Sequence, residues 1–246
     1  MKRVSKHLAF AALLALSCSK GQTEDVAPVP SASTPKPQPA ATTRPGMAWI
    51  PGGTLKAGTP PSKRPRIADE ELPGTELKLD GFYIDLLPYP NESGAIPTSN
   101  VTRDEAQQLC EQKGKRLCTE LEWERACKGD ANTAYEYGDD YRAATCGTGV
   151  TAEEASKRPS GDRPQCKSAF GVLEMHGGAW EWTASKWGRG STKNDLGVLR
   201  GGNAQAGELV GRCANGLARS IKTKSPTMPK QTAKALARPI VKASDV

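Results

Sequence analysis

The chain reads as an α+β domain, rich in loops, with two helices and short strands. Three observations predict this class. Two capping boxes start helices within twenty residues of each other. The 246 residues include 25 Gly and 19 Pro against only 5% aromatics. Apolar runs elsewhere are strand-sized rather than helix-sized. In chain order, Met47 to Ile50 reads as a short strand, Pro51-Gly52-Gly53 as a turn, and Phe82 to Asp85 as a second strand. Thr102-Arg103-Asp104-Glu105 is a capping box that opens a helix running to about Lys113, before Gly114. Its spacing turns Ala106 and Cys110 to one face. Arg116 and Leu117 link it to the next capping box, Thr119-Glu120-Leu121-Glu122. That helix carries Trp123, Ala126 and Cys127 and stops at Lys128-Gly129. Residues 129 to 168 read mostly as loop. In Trp180-Glu181-Trp182 both indoles share one face of an extended strand and the carboxylate takes the other. Gly177 and Gly178 precede it, where the backbone turns tightly or approaches a neighbour.

The net charge of +7 invites a nucleic-acid reading, but its distribution argues against one. Lys2, Arg3 and Lys6 lie at one end. Lys222, Lys224, Lys230, Lys234, Arg238 and Lys242 lie at the other, and the chain between is near neutral. Charge at two tails is not a binding face, and no recognition motif accompanies it. Nucleic acid is therefore not an expected partner.

The first segment predicts export. A basic start, an apolar run from Leu8 to Leu16 and then Ala15-Leu16-Ser17-Cys18 resemble a bacterial lipoprotein signal. Residues 1–18 are thus expected to be the signal, with Cys18 carrying the lipid. Ser19 after Cys18 favours the outer membrane, so the domain would face the periplasm or the cell surface. Residues 19–45, with Pro28, Pro30, Pro35, Pro37, Pro39 and Pro45 among Ser, Thr and Ala, read as a disordered tether. Extended, it reaches up to about 80 Å.

Six other cysteines remain: Cys110, Cys118, Cys127, Cys146, Cys166 and Cys213. An even number in an exported domain reads as disulfides. No C-x-x-C spacing occurs and His176 is the one histidine beyond the signal, so a zinc site is not expected. His176 sits in the glycine turn without a paired nucleophile, so it reads as a packing or solvated residue.

MAWIPGGTLKAG (47–58), VTRDEAQQLCEQKGKRLCTELEWERACKG (101–129), AFGVLEMHGGAWEWTA (169–184), VLRGG (198–202) and RCANGLARS (212–220) together resemble the formylglycine-generating enzyme family, also called the sulfatase-modifying-factor domain. The likeness covers about residues 46–220 and implies a C-type-lectin-like fold. It also implies a copper- and oxygen-dependent oxidase that converts a sulfatase Cys to formylglycine. In the family two Cys shortly after RGG hold the copper. Here Ala206 and Gly211 stand at those positions, and neither side chain can bind soft copper. No catalytic residue and no copper are therefore expected. A related branch of the family holds iron with several His, which His176 alone does not provide.

The resemblance further implies a structural calcium, held by the side chains of Glu174 and Glu181 and the carbonyls of Gly177 and Ala179. The competing reading pairs Glu181 with an Arg such as Arg200. The resemblance also implies a Cys127–Cys213 disulfide. The family's terminal GFRC motif has no match, so the pairing among Cys110, Cys118, Cys146 and Cys166 stays open, with Cys110–Cys118 and Cys146–Cys166 as one arrangement. Residues 221–246 then read as a basic, disordered tail with no closing strand, leaving a core edge uncovered. The expected function is a lipid-anchored, non-catalytic binding or scaffold module whose partner is a peptide, a glycan or an envelope protein. Trp180, Trp182, Trp187 and Arg200 are its candidate groove. The alternative is the oxidase, which would need Cys213 free and a second thiol beside it. A third reading is a decayed domain that folds poorly.

Overall fold

The computed structural model describes residues 43–151, 154, 158–191, 193–202, 206–225 and 239–242. The first strands are where the sequence puts them. β1 (Met47–Ile50) pairs antiparallel with β4 (Phe82–Asp85), Ala48 opposite Ile84 and Ile50 opposite Phe82. Between them, β2 (Gly53–Gly58) and β3 (Pro73–Leu79) make a separate hairpin. It bulges at Ala57/Gly58, where Gly58 has φ +80° and a Cβ would lie 1.8 Å from the Leu72 carbonyl.

Both capping boxes form. Thr102 caps α1 (Arg103–Glu111) and Thr119 caps α2 (Glu120–Lys128), each with its glutamate reaching back to the cap amide. α1 buries Ala106 and Cys110. α2 buries Trp123, Ala126 and Cys127 on its apolar side. It also buries Glu120, Glu124 and Lys128, a charged stripe at four-residue spacing that polarity would assign to solvent. Arg116–Leu117, read as a link, is strand β5. A third, four-residue helix, α3 (Ala143–Cys146), interrupts the long loop.

β6 (Trp180–Lys186), β7 (Leu196–Gly201) and β8 (Leu217–Ser220) form a three-stranded antiparallel sheet. β6 separates two cores. Trp180 and Trp182 pack with Val101, Ala106, Cys110, Leu117 and Leu199. Glu181, on the other face as the alternation requires, accepts from the Trp123 indole at 2.7 Å. Trp123 belongs to the second core, with Ile50, Phe82, Ile84, Met175 and the Cys127–Cys213 bridge.

Two expectations are corrected here. The chain does have a closing strand. β9 (Pro239–Lys242) lies in the middle of a four-stranded sheet, order β1-β4-β9-β5, antiparallel to β4 and β5. β4 is buried along its whole length and takes β1 on one side and β9 on the other. The start of the supposed tail is also structured: Ser225 is buried and its amide donates to the Val101 carbonyl. The other correction is that Cys110 and Cys118 are not joined. Both are buried outside the two disulfides, Cys127–Cys213 and Cys146–Cys166. Cys110 faces the tryptophan core and Cys118 the other, so the two thiols serve different cores. The signal, Cys18 and the 19–45 tether lie outside the described residues, apart from 43–45. No described helix is long and apolar enough to cross a membrane.

Candidate functional site

The glycine turn before β6 and the Arg200-Gly201-Gly202 end of β7 meet back to back. The Gly177 amide donates to the Gly202 carbonyl at 3.0 Å. A Cβ on Gly201 would meet the carbonyls of Met175 and Ala179 at 2.7 and 3.2 Å. Gly177 has φ +82°, and a Cβ there would lie 1.7 Å from the Cys146 carbonyl. Each glycine is required because backbone fills the space a side chain would take.

The two positions that would carry copper thiolates lie beside this junction. Ala206 is buried, and a Cβ built on Gly202 would lie 3.1 Å from its methyl group. Gly211 closes a backbone turn, its amide donating to the Gly207 carbonyl at 2.9 Å, and it offers no side chain. Cys213 is bridged to Cys127. Burial, reinforced by Asp85, pushes the Cys110 thiol up to about 12, which keeps it protonated at neutral pH. The donor set at Ala206 and Gly211 does not fit copper.

The residues of the expected calcium site are all buried or in the turn. Glu174, at φ +51°, is only 3% exposed. Its carboxylate accepts the amides of Gly161 at 3.1 Å and Arg163 at 2.9 Å. Glu181 takes the Trp123 indole. Both carboxylates thus have protein donors of their own. Carboxylate and carbonyl oxygens are nonetheless the donor types a hard cation uses, and each oxygen can accept more than once.

The groove candidates are core instead. Trp182 and Arg200 have no exposed surface, and Trp180 and Trp187 are each 8% exposed. Trp182 donates its indole N–H to the Val101 carbonyl, and Arg189 stacks over Trp187. Arg200, opposite Glu181 across the β6–β7 ladder, donates to Glu120 at 2.9 Å and to Glu124 at 3.1 Å. The same guanidinium donates to the carbonyls of Cys213 and Asn215. Arg189 adds a second cation to Glu120, and Lys128 bridges Glu124 to the carbonyls of Lys56 and Gly58. Burial pushes the Glu120 carboxyl up, but Arg200 and Arg189 outweigh it and hold the group below the usual glutamate range. His176 is buried, edge-on against Trp123.

Sequence reasoning missed two groupings. One is this charged network, whose only trace is the four-residue spacing of Glu120, Glu124 and Lys128. The other gathers Glu136, Cys146 and Cys166 in one buried cluster, with the His176 ring 3.4 Å from the Glu136 carboxylate. Its members are far apart in sequence, with no motif spacing to join them.

Comparison with known proteins agrees with this geometry. The sulfatase-modifying factor enzyme 1-like domain matches residues 86–228. A hercynine oxygenase of Mycolicibacterium smegmatis is 27% identical over 71% of this chain and 58% of its own length. An inactive C-alpha-formylglycine-generating enzyme 2 of Bos taurus is 29% identical over 43% of this chain and 38% of its own. The chain therefore spans 58% or less of these curated relatives. Among solved structures, PvdO from Pseudomonas aeruginosa superposes with a TM-score of 0.63 at 18% identity, over 82% of this chain and all of that one. CarF does so at 0.58 and 14%, over 80% of this chain and 97% of that one. The α+β, C-type-lectin-like fold read from the sequence is thus the fold of the formylglycine-generating type. The chain belongs to the sulfatase-modifying factor enzyme 1-like, or formylglycine-generating, family.

Proposed function

We propose that this domain is a non-catalytic binding or scaffold module of the bacterial envelope, tethered through a lipid on Cys18. One feature supports the reading: counted from Arg200-Gly201-Gly202 by the family pattern, the thiolate positions fall on Ala206 and Gly211, and Cys213 is tied to Cys127. No copper chemistry follows from such a set. The likeness to a bovine protein whose name calls it inactive supports the same view. The likeness to hercynine oxygenases raises iron chemistry. A facial iron site needs two imidazoles, and the whole sequence holds His7, in the signal segment, and His176. Calcium belongs to this reading as a structural ion on Glu174, Gly177, Ala179 and Glu181, stiffening the turn before β6.

The test incubates the full chain, in detergent, with copper, oxygen and a Cys-x-Pro-x-Arg peptide, and weighs the peptide. An unchanged mass alongside folded protein is expected. Conversion of the peptide Cys to an aldehyde would establish the oxidase instead. Lipidation is read separately, by a labelled fatty acid that Cys18→Ser should no longer take up.

A further inference from the structure

Glu136 is the most unusual carboxylate in the domain. Its side chain has no exposed surface, and its Oε1 lies 2.8 Å from the sulfur of Cys146 and 2.8 Å from that of Cys166. Those sulfurs form a disulfide, which has no S–H to donate. Backbone amides hold the carboxylate in place: Met175 donates to Oε2 at 3.0 Å and His176 to Oε1 at 3.2 Å. The His176 imidazole closes the ring, its Nδ1 3.4 Å from Oε1. The two sulfurs and a carboxylate oxygen all lie within 4.8 Å of one another. The far nitrogen of His176, Nε2, is buried without a hydrogen-bond partner.

Such a cage is poorly explained as a support for the disulfide. A buried carboxylate costs desolvation and gains nothing from two oxidised sulfurs. It is well explained as three kinds of ligand around one centre. Two thiolates, a carboxylate and an imidazole are the donor set of a tetrahedral zinc-class ion.

We propose that reduction of the Cys146–Cys166 disulfide opens a metal site formed by Cys146, Cys166, Glu136 and His176. The reductant is a dithiol, which supplies two electrons and two protons and leaves as its own disulfide, while the S–S bond becomes two thiols. A divalent ion then displaces both thiol protons to solvent, and His176 binds through Nδ1 with its proton on Nε2. The ligands then carry one net negative charge. The Arg163 guanidinium, which donates to the Cys146 carbonyl at 3.2 Å, offsets it. The two cysteines are buried, and their chain neighbours Thr145 and Gln165 line a surface depression with Asp162 and Pro164. Oxidised, the cage holds no ion; reduced, it becomes a site. This inference does not depend on whether the domain is an oxidase.

The test adds cobalt(II) to the full chain before and after reduction with a phosphine. After reduction, thiolate-to-cobalt charge-transfer bands and tetrahedral visible bands are expected, with one ion per chain. Zinc should displace the cobalt. Oxidised protein should show neither band. Glu136→Gln leaves both disulfides able to form and should weaken cobalt binding about tenfold or more. Cys146→Ser with Cys166→Ser should abolish the bands, and Cys110→Ala with Cys118→Ala should keep them. The proposal is overturned if reduced protein shows no bands. It is equally overturned if the bands survive Glu136→Gln at unchanged affinity, since the carboxylate would then not be a ligand, or if they survive Cys146→Ser with Cys166→Ser, since the ion would then sit on other cysteines.

Discussion

At Arg200 a fully buried guanidinium holds two buried carboxylates and two backbone carbonyls at once. Breaking such a cluster from one side is costly, because Glu120 and Glu124 stay buried with less compensation. Arg200→Met should therefore destabilise the domain by about 3–5 kcal/mol in urea unfolding. The pH dependence gives an independent check. The folded Glu120 carboxyl titrates below its ordinary value, so its contribution is complete above that value and is lost as pH falls through the folded one. In Arg200→Met the acid decline should be shallower, since Arg189 alone then holds Glu120 down. An unchanged acid limb would mean that Arg200 does not set this titration. The network also marks a limit on what the sequence shows. Thr102 and Thr119 were legible because a cap is a local matter of four residues. Burial of Glu120, Glu124 and Lys128 was not, because it depends on Arg200 arriving from seventy or more residues downstream.

Among the elements, β9 separates what local pattern can and cannot reveal. β1, β4, α1 and α2 were readable from apolar spacing and caps. β9 is four residues set in a Lys- and Pro-rich stretch, and its strand state comes from the slot between β4 and β5 rather than from its own propensity. The apolar run Phe82-Tyr83-Ile84-Asp85 reports that both faces of β4 are covered, not that a second strand pairs beside it, so it does not announce β9. Deleting residues 239–246 removes three residue pairs with β4 and two with β5. At a net ~1 kcal/mol per hydrogen bond, the loss should be about 3–5 kcal/mol. Amide exchange should rise at Tyr83 and Leu117, and the opened edges should promote association. Full stability in the truncated chain would show that β9 contributes nothing to the fold.

For the whole molecule, the two disulfides tie together parts that sequence distance keeps apart, and they do so to different degrees. Cys127–Cys213 closes a separation of 86 residues and joins α2 to the segment after RGG. Cys146–Cys166 closes a separation of 20 within the loop region. The family resemblance was enough to name the first pair, whereas nothing local marked Cys110 and Cys118 as thiols, because the family partner of Cys110 would lie on a terminal strand that carries no Cys here. If each bridge acts by restricting the unfolded chain, removing the longer should cost about 4.6 kcal/mol and the shorter about 3.3 kcal/mol. Either is a large share of a stability of about 5–15 kcal/mol. Cys127→Ala with Cys213→Ala, compared with Cys146→Ser with Cys166→Ser by urea unfolding under oxidising conditions, should therefore rank in that order. The reverse order would locate the effect elsewhere. Opening the shorter bridge disturbs the buried carboxylate of Glu136, and a cost there above the loop-entropy value would measure how strongly that carboxylate depends on its sulfur neighbours.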